Sequence, residues 1–284
     1  MRILLTGAAG QLGRQIQALN QSHGIAALTH QDLDIADLAG VREAVRAHKP
    51  DLVLNAAAFN DVDRAESDPD AAFVGNSAGP RNLALAAAEA GAAILHVSTD
   101  YVFDGRKSTP YHEYDQPAPL SNYAKSKFAG ETAVKELNPR HYVVRTAWVY
   151  EPKGNNFPKT LYFLALKHKE VKVVSDVKGS PTSAAHLARA ILTLIETGAF
   201  GTYHLAGAGE GASWFDLATC FFRELALDTV VRPVPSSEFP RPAPRPRYSV
   251  LRTIQTPRIL LPPWQEGIAE FARDIKAQFG DLAK

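Results

Sequence analysis

The stretch Thr6-Gly7-Ala8-Ala9-Gly10-Gln11-Leu12-Gly13 spells G-x-x-G-x-x-G between an apolar run, Ile3-Leu4-Leu5, and an amphipathic pattern that begins at Leu12. Glycine at these spacings lets a chain leaving a strand turn sharply and bring its backbone close to a pyrophosphate. The helix that follows then offers unpaired N–H groups and the positive end of its dipole. The motif predicts a βα unit for a dinucleotide, with Gly7, Gly10, Gln11, Leu12 and Gly13 as cofactor contacts.

Outward from this unit the first half alternates short β-type runs with helical patterns. Residues 2–5, 25–28, 52–55, 93–98 and 142–146 read as strands, and 11–20, 38–47, 70–90 and 123–137 as the helices between them. Apolar strands alternating with helices predict an α/β fold: a Rossmann-type, doubly wound parallel sheet covered on both faces. After Tyr150 the character changes. Glycine, asparagine and proline punctuate 151–158, with helices expected at 159–167, 184–196 and 264–279 and short strands at 171–174 and 202–205. Prolines at 233, 235, 240, 242, 244 and 246 predict no regular structure across 233–246. Trp214 and Trp264 each open a helical pattern and are expected to anchor a core. The expected division is a dinucleotide-binding domain over 1–150, continued by parts of 168–205. A smaller C-terminal substrate-binding lobe takes 151–167 and 206–284.

Composition excludes several classes. The 31 basic and 30 acidic side chains leave a net charge of +1, no field for gripping nucleic acid or a membrane surface. Cys220 is the only cysteine, which excludes an intrachain disulfide and a multi-cysteine metal site. The apolar run after Met1 is too short for a leader or a span, so the expected location is the cytoplasm. The histidines lack metal-ligand spacing, and no metal is expected.

Tyr123-Ala124-Lys125-Ser126-Lys127 puts Tyr123 and Lys127 four residues apart on one helix face. A cation near a tyrosine eases its ionisation, so the pair can hand a proton to a developing alkoxide and recover it. Val97-Ser98-Thr99-Asp100-Tyr101 lies where the fourth strand should end, and ligands bind outside the carboxyl ends of such strands. Thr99 is the natural hydroxyl to hold a substrate carbonyl, with Ser98 the competing candidate. In dinucleotide folds an acid some 20 residues past the glycines takes the ribose hydroxyls. Here the second strand ends Leu28-Thr29-His30-Gln31, and Asp32 and Asp34 come late. Arg14 offers a charge that attracts a 2′-phosphate, so NADPH and NADH both stay open.

The glycine spacing resembles the extended short-chain dehydrogenase/reductases. Over essentially the whole chain the sequence resembles the dTDP-4-dehydrorhamnose reductase family. The match rests on Ser98–Gly105 (Ser-Thr-Asp-Tyr-Val-Phe-Asp-Gly), Arg145-Thr146-Ala147-Trp148-Val149-Tyr150, Gly154-Asn155-Asn156-Phe157 and Arg245-Pro246-Arg247-Tyr248-Ser249. The resemblance implies NADH- or NADPH-dependent reduction of the C4 keto group of a dTDP-deoxysugar. It implies Thr99, Tyr123 and Lys127 as the catalytic residues. Asn55, Ala56, Ala57, Ala58, Asn76, Ser98, Asp34 and Ile35 join the cofactor contacts. Val62, Asp100, Tyr101, Trp148, Asn156 and Arg245 are assigned to the sugar nucleotide. Gln15 stands where some relatives carry a magnesium-binding glutamate.

Arg241, Arg245 and Arg247 lie in the proline-stiffened loop, and guanidinium forks suit a diphosphate. Arg245 is the first choice. A related epimerase or dehydratase, and a cofactor-binding regulatory subunit, are the competing functions. The expected partner is a small nucleotide sugar, with a homodimer left open.

Overall fold

The computed structural model describes residues 1–280. In chain order the first half comprises β1 (Arg2–Thr6), α1 (Gln11–Leu19), β2 (Gly24–Leu28), α2 (Leu38–His48), β3 (Leu52–Asn55), α3 (Arg64–Ser67), α4 (Pro69–Phe73), α5 (Gly79–Glu89), β4 (Ala93–Thr99), α6 (Asn122–Leu137) and β5 (His141–Thr146). The second half adds β6 (Val149–Tyr150), α7 (Phe157–Ala165), β7 (Glu170–Val174), β8 (Lys178–Gly179), β9 (Thr182–Ser183), α8 (Ala184–Glu196) and β10 (Gly201–His204). It closes with β11 (Ala212–Ser213), α9 (Trp214–Leu225), β12 (Val230–Val234) and α10 (Trp264–Phe279).

Six strands form one sheet in the order β10-β5-β4-β3-β1-β2, all parallel. Side chains alternate across a strand, and both faces of this sheet are covered. Ile3 and Leu5 pack with Leu12 and Ile16 of α1 and Leu187 and Ile191 of α8. Leu4, between them, packs on the other face with Val41 and Val45 of α2 and Leu83 of α5. Burial on both sides is why β1 and β3 read as continuous apolar runs. The chain winds one way from β1 to β2 and the other way through β3, so a crevice opens at the carboxyl ends of β1 and β3. This is the expected α/β, Rossmann-type arrangement.

A second core joins Leu161 of α7, Val171 and Val173 of β7, Phe221 of α9, and Trp264 and Phe271 of α10. The strand expected at 171–174 forms, but it pairs with β12 outside the large sheet. That pairing corrects the reading of 233–246 as wholly irregular, because Pro233 lies within β12. A two-stranded sheet has only edge strands, where the missing proline N–H can face away from the partner. The expected helix over 70–90 is also interrupted. A π-helical turn, Val74–Ala78, separates α4 from α5. Pro80 supplies no N–H there, and the Asn76 amide bonds sideways to the Phe59 backbone. Residues 281–284 of the expected lobe lie outside the described residues. Among the described residues no helix is long and apolar enough to cross a membrane.

Candidate active site

The glycine loop builds a cradle at the crevice. Gly7 takes φ +74, and Gly10 N–H donates to the Gly7 carbonyl at 3.0 Å. A Cβ on Gly7 would stand 2.5 Å from Ala57 N, and one on Gly13 would strike the Gly7 carbonyl. Gly10 caps α1 without a side-chain bond, and no acid occupies the first turn. The first N–H groups of α1 therefore face the crevice free of competitors, as a dinucleotide pyrophosphate needs. Leu12 is buried beneath them.

Asn55 holds the opposite wall. Its Oδ1 accepts from Thr6 Oγ1 at 2.8 Å and Ala57 N–H at 3.0 Å, and its amide nitrogen meets His96 Nδ1 at 3.0 Å. The Asn55 side chain thus fixes the half-buried Ala56, Ala57 and Ala58 against Gly7. Asn76 acts similarly: it brackets Phe59 through N–H and carbonyl and donates to Ser126 Oγ at 3.1 Å. Asp34 is exposed and accepts from Ala36 N–H, while Ile35 is buried against Gly79.

Thr99 ends β4, and Tyr123 and Lys127 lie one turn apart on α6, whose N-terminus is capped by Ser121. All three are buried. Burial pushes the Tyr123 hydroxyl up to about 12, the Thr99 hydroxyl pulling it the other way, so the phenol keeps its proton at neutral pH. Burial also brings Lys127 down to about 8, against the opposing charge of Glu131. Its Nζ donates to the Val97 carbonyl at 2.6 Å. Ser98 is turned away from Thr99 by strand alternation: its hydroxyl donates to Glu131 Oε1 at 2.5 Å. Glu131 in turn takes the buried Arg145 guanidinium.

Asp100 lies behind the trio, accepting from Thr99 Oγ1 at 3.1 Å and from Ser249 Oγ. Burial pushes its carboxyl up to about 7, with the Ser249 and Thr99 bonds opposing. The fold thus holds a proton that the unfolded chain releases near its ordinary value of 3.8, and this stabilisation is lost as pH rises toward 7. Asp100→Asn lacks that loss. Its unfolding free energy relative to wild type should rise between about pH 4 and pH 7, by an amount on the order of a few kcal/mol. Denaturant melts across this window measure the difference, and a flat one contradicts the assignment.

A cleft of about 740 Å³ is lined by Val62, Tyr101, Phe157, Trp214, Arg245 and Arg247 among others, and Val62 and Tyr101 also pack with Tyr123. Tyr101 meets Tyr123 edge to face at 6.0 Å. Trp148 takes φ +48 and stacks on Trp214, with ring centroids 3.4 Å apart and planes within 5°. Trp214, half-buried, packs against the second core as expected and also lines the cleft, whereas Trp264 lies fully within that core. Arg245 is bound two-pronged by Asp63, at 3.0 Å from each oxygen. Arg247 has no carboxylate partner among the described residues. Asp63, part of the Val62–Glu66 stretch that resembles the family, is the residue to which the sequence reading gave no role; the signal was an acid beside Val62 opposite an arginine-rich loop.

Gln11 and Asn156 are joined more closely than their separate assignments suggested. Asn156 caps α7 through Oδ1 and donates from Nδ2 to Gln11 Oε1 at 3.0 Å. Gln11 also accepts Glu151 N–H at 3.1 Å. Arg14 pairs with the buried Glu151, donating from Nε at 2.8 Å, so, like Arg245 with Asp63, it already holds a carboxylate partner.

The comparisons agree with this geometry. The family described as RmlD substrate binding domain matches residues 1–277. A dTDP-4-dehydrorhamnose reductase of Mycobacterium tuberculosis is 44% identical over 280 residues, covering 94% of this chain and 91% of the relative. A crystal structure of a dTDP-4-dehydrorhamnose reductase from Clostridium acetobutylicum superposes with a TM-score of 0.94 at 44% identity, covering 97% and 100% of the two chains. One from Bacillus anthracis, in complex with NADP, gives 0.92 at 39% identity, covering 95% and 98%. At this identity over this much of each chain, the protein belongs to the RmlD substrate binding domain family, that of the dTDP-4-dehydrorhamnose reductases.

Proposed function

We propose that the protein reduces the C4 keto group of dTDP-4-dehydro-L-rhamnose to dTDP-L-rhamnose with NADH or NADPH. The observation that carries this reading is the buried, protonated Tyr123 beside Thr99, packed on Val62 and Tyr101 of the arginine-lined cleft, in a fold with an uncapped glycine cradle. When bound, the cofactor supplies a hydride to the sugar carbon. Thr99 orients the carbonyl oxygen, and Tyr123 donates the proton that this oxygen takes up. Lys127, one turn along α6, holds the nicotinamide ribose and favours the tyrosinate left behind. Gly7, Gly10 and Gly13 with the α1 N–H groups carry the pyrophosphate. Val62, Tyr101, Trp148 and Asn156 shape the sugar subsite.

Residues 1–150 with parts of 168–205 act as the dinucleotide domain in this reading, and 151–167 with 206–284 as the sugar lobe. The pairing of β10 with β5 and the packing of α8 on α1 support the first part. The balance of charge favours a cytoplasmic enzyme with a nucleotide-sugar partner and neither nucleic acid nor membrane. Light scattering separates a monomer from a homodimer. A dehydratase is disfavoured because Asp100, the carboxylate after Thr99, is engaged by Ser249. Loss of NADH absorbance on adding the keto sugar, with dTDP-L-rhamnose as product, tests the assignment; a silent assay with cofactor bound refutes it.

Arg245, with Arg247, reaches the substrate diphosphate in this reading. A contact remote from the reacting carbon acts alike on ground and transition states, so its loss mainly raises KM. A charge-assisted bond is worth about 1.5–3 kcal/mol, roughly ten- to 150-fold in affinity. Arg245→Ala should weaken dTDP-rhamnose binding on that scale in calorimetric titration and leave NADH binding unchanged.

A further inference from the structure

The cofactor cradle carries a charge pattern on its adenosine side that bears on which reductant it takes. The tip of β2 stands directly beside the glycine loop, since Ala8 N–H donates to the Leu28 carbonyl at 3.1 Å. In dinucleotide folds the adenosine ribose lies at this tip, and an acid or a cation there decides between a free 2′-hydroxyl and a 2′-phosphate. Asp32 arrives four residues after the strand ends, yet its side chain folds back onto the tip. Its Oδ2 accepts from Thr29 N–H at 2.8 Å and from Thr29 Oγ1 at 2.6 Å. Those are the two donors a phosphate oxygen would need. Asp32 Oδ1 has no partner among the described residues and can accept a ribose hydroxyl. The Thr29 bonds also hold the carboxyl below its ordinary range, so it is ionised at neutral pH.

Residues 24–40 hold Asp32, Asp34 and Asp37 and neither lysine nor arginine; His30 is the sole basic side chain. Arg14, the cation that the sequence offers to a phosphate, is already paired with Glu151, and a second anion there has to share it. A phosphate monoester carries nearly two negative charges near neutral pH, and at this tip it meets carboxylates instead of a guanidinium fork.

We propose that Asp32 is the residue that discriminates against a 2′-phosphate, so that NADH rather than NADPH is the preferred reductant. The proposal rests on the cofactor reading above and sharpens it. Asp32→Asn is the informative change, because an amide oxygen keeps the acceptor for Thr29 while removing the charge.

Fluorescence titration of the full chain with NADH and with NADPH, at low and high salt, is the test. Wild type should bind NADH about tenfold or more tightly than NADPH at low salt, and salt should narrow the gap by screening the carboxylates. In Asp32→Asn the ratio should fall by about threefold or more, mainly through tighter NADPH binding. Equal or tighter binding of NADPH by wild type overturns the proposal alone, as does an unchanged ratio in the variant. Failure of both nucleotides to bind overturns the cofactor reading together with it.

Discussion

Tyr123→Phe is expected to lower kcat by about 10²- to 10⁴-fold while cofactor affinity stays within about twofold. The substitution removes one oxygen from a ring otherwise held by apolar packing with Ala65, Ala72, Phe59 and Val62. The edge-to-face contact with Tyr101 survives it. A lost hydroxyl bond to Thr99 subtracts only about 1 kcal/mol from stability, too little to unfold a domain of this size. What disappears is the transferable proton. Initial rates at saturating substrate and a parallel cofactor titration measure both halves. A near-normal kcat would transfer the acid to another group, with Asp100, pushed up to about 7, the next candidate.

Gly7→Ala should raise the Kd for NADH or NADPH by about 100-fold or more, equivalent to roughly 3 kcal/mol. Two effects combine at this position. At φ +74 a Cβ is strained by about 1–2 kcal/mol. The new methyl also meets backbone, 2.5 Å from Ala57 N and 2.6 Å from Ala56 C. That wall cannot yield easily, because Asn55 fixes it to Thr6 and His96, and Ala56 N–H is bonded to the Thr6 carbonyl. The loop must move instead, which misaligns the α1 N–H groups. Gly24→Ala is the control: nothing lies within 4 Å of its Cβ, and cofactor binding should be unchanged. Equal affinities in the two variants would mean that the glycine loop does not form the pyrophosphate site.

How much of this was legible in the sequence depended on how local each feature is. β1, the glycine loop and α1 are set by neighbouring residues, and Tyr123 and Lys127 by helical spacing, so both could be read directly. The π-turn at Val74–Ala78 was missed because, although Pro80 is local, the grip of Asn76 on Phe59 that accompanies it spans 17 residues. Asp63 with Arg245 spans 182 residues, and Gln11 with Asn156 spans 145; no local pattern encodes either pairing. Trp214 opens a helix as expected, but its position against Trp148 depends on the route of the chain through β6. Asp32 looked too late in sequence to reach the strand tip, and only the turn closed by Thr29 returns it there.

Transfer of deuterium from C4-deuterated NADH to the keto sugar tests the account most directly. With dTDP-4-dehydro-L-rhamnose the wild-type protein should place the label on C4 of the dTDP-L-rhamnose formed, and Tyr123→Phe should bind both ligands while forming almost none. Oxidation of the cofactor without label at C4, or unimpaired transfer by Tyr123→Phe, would contradict it.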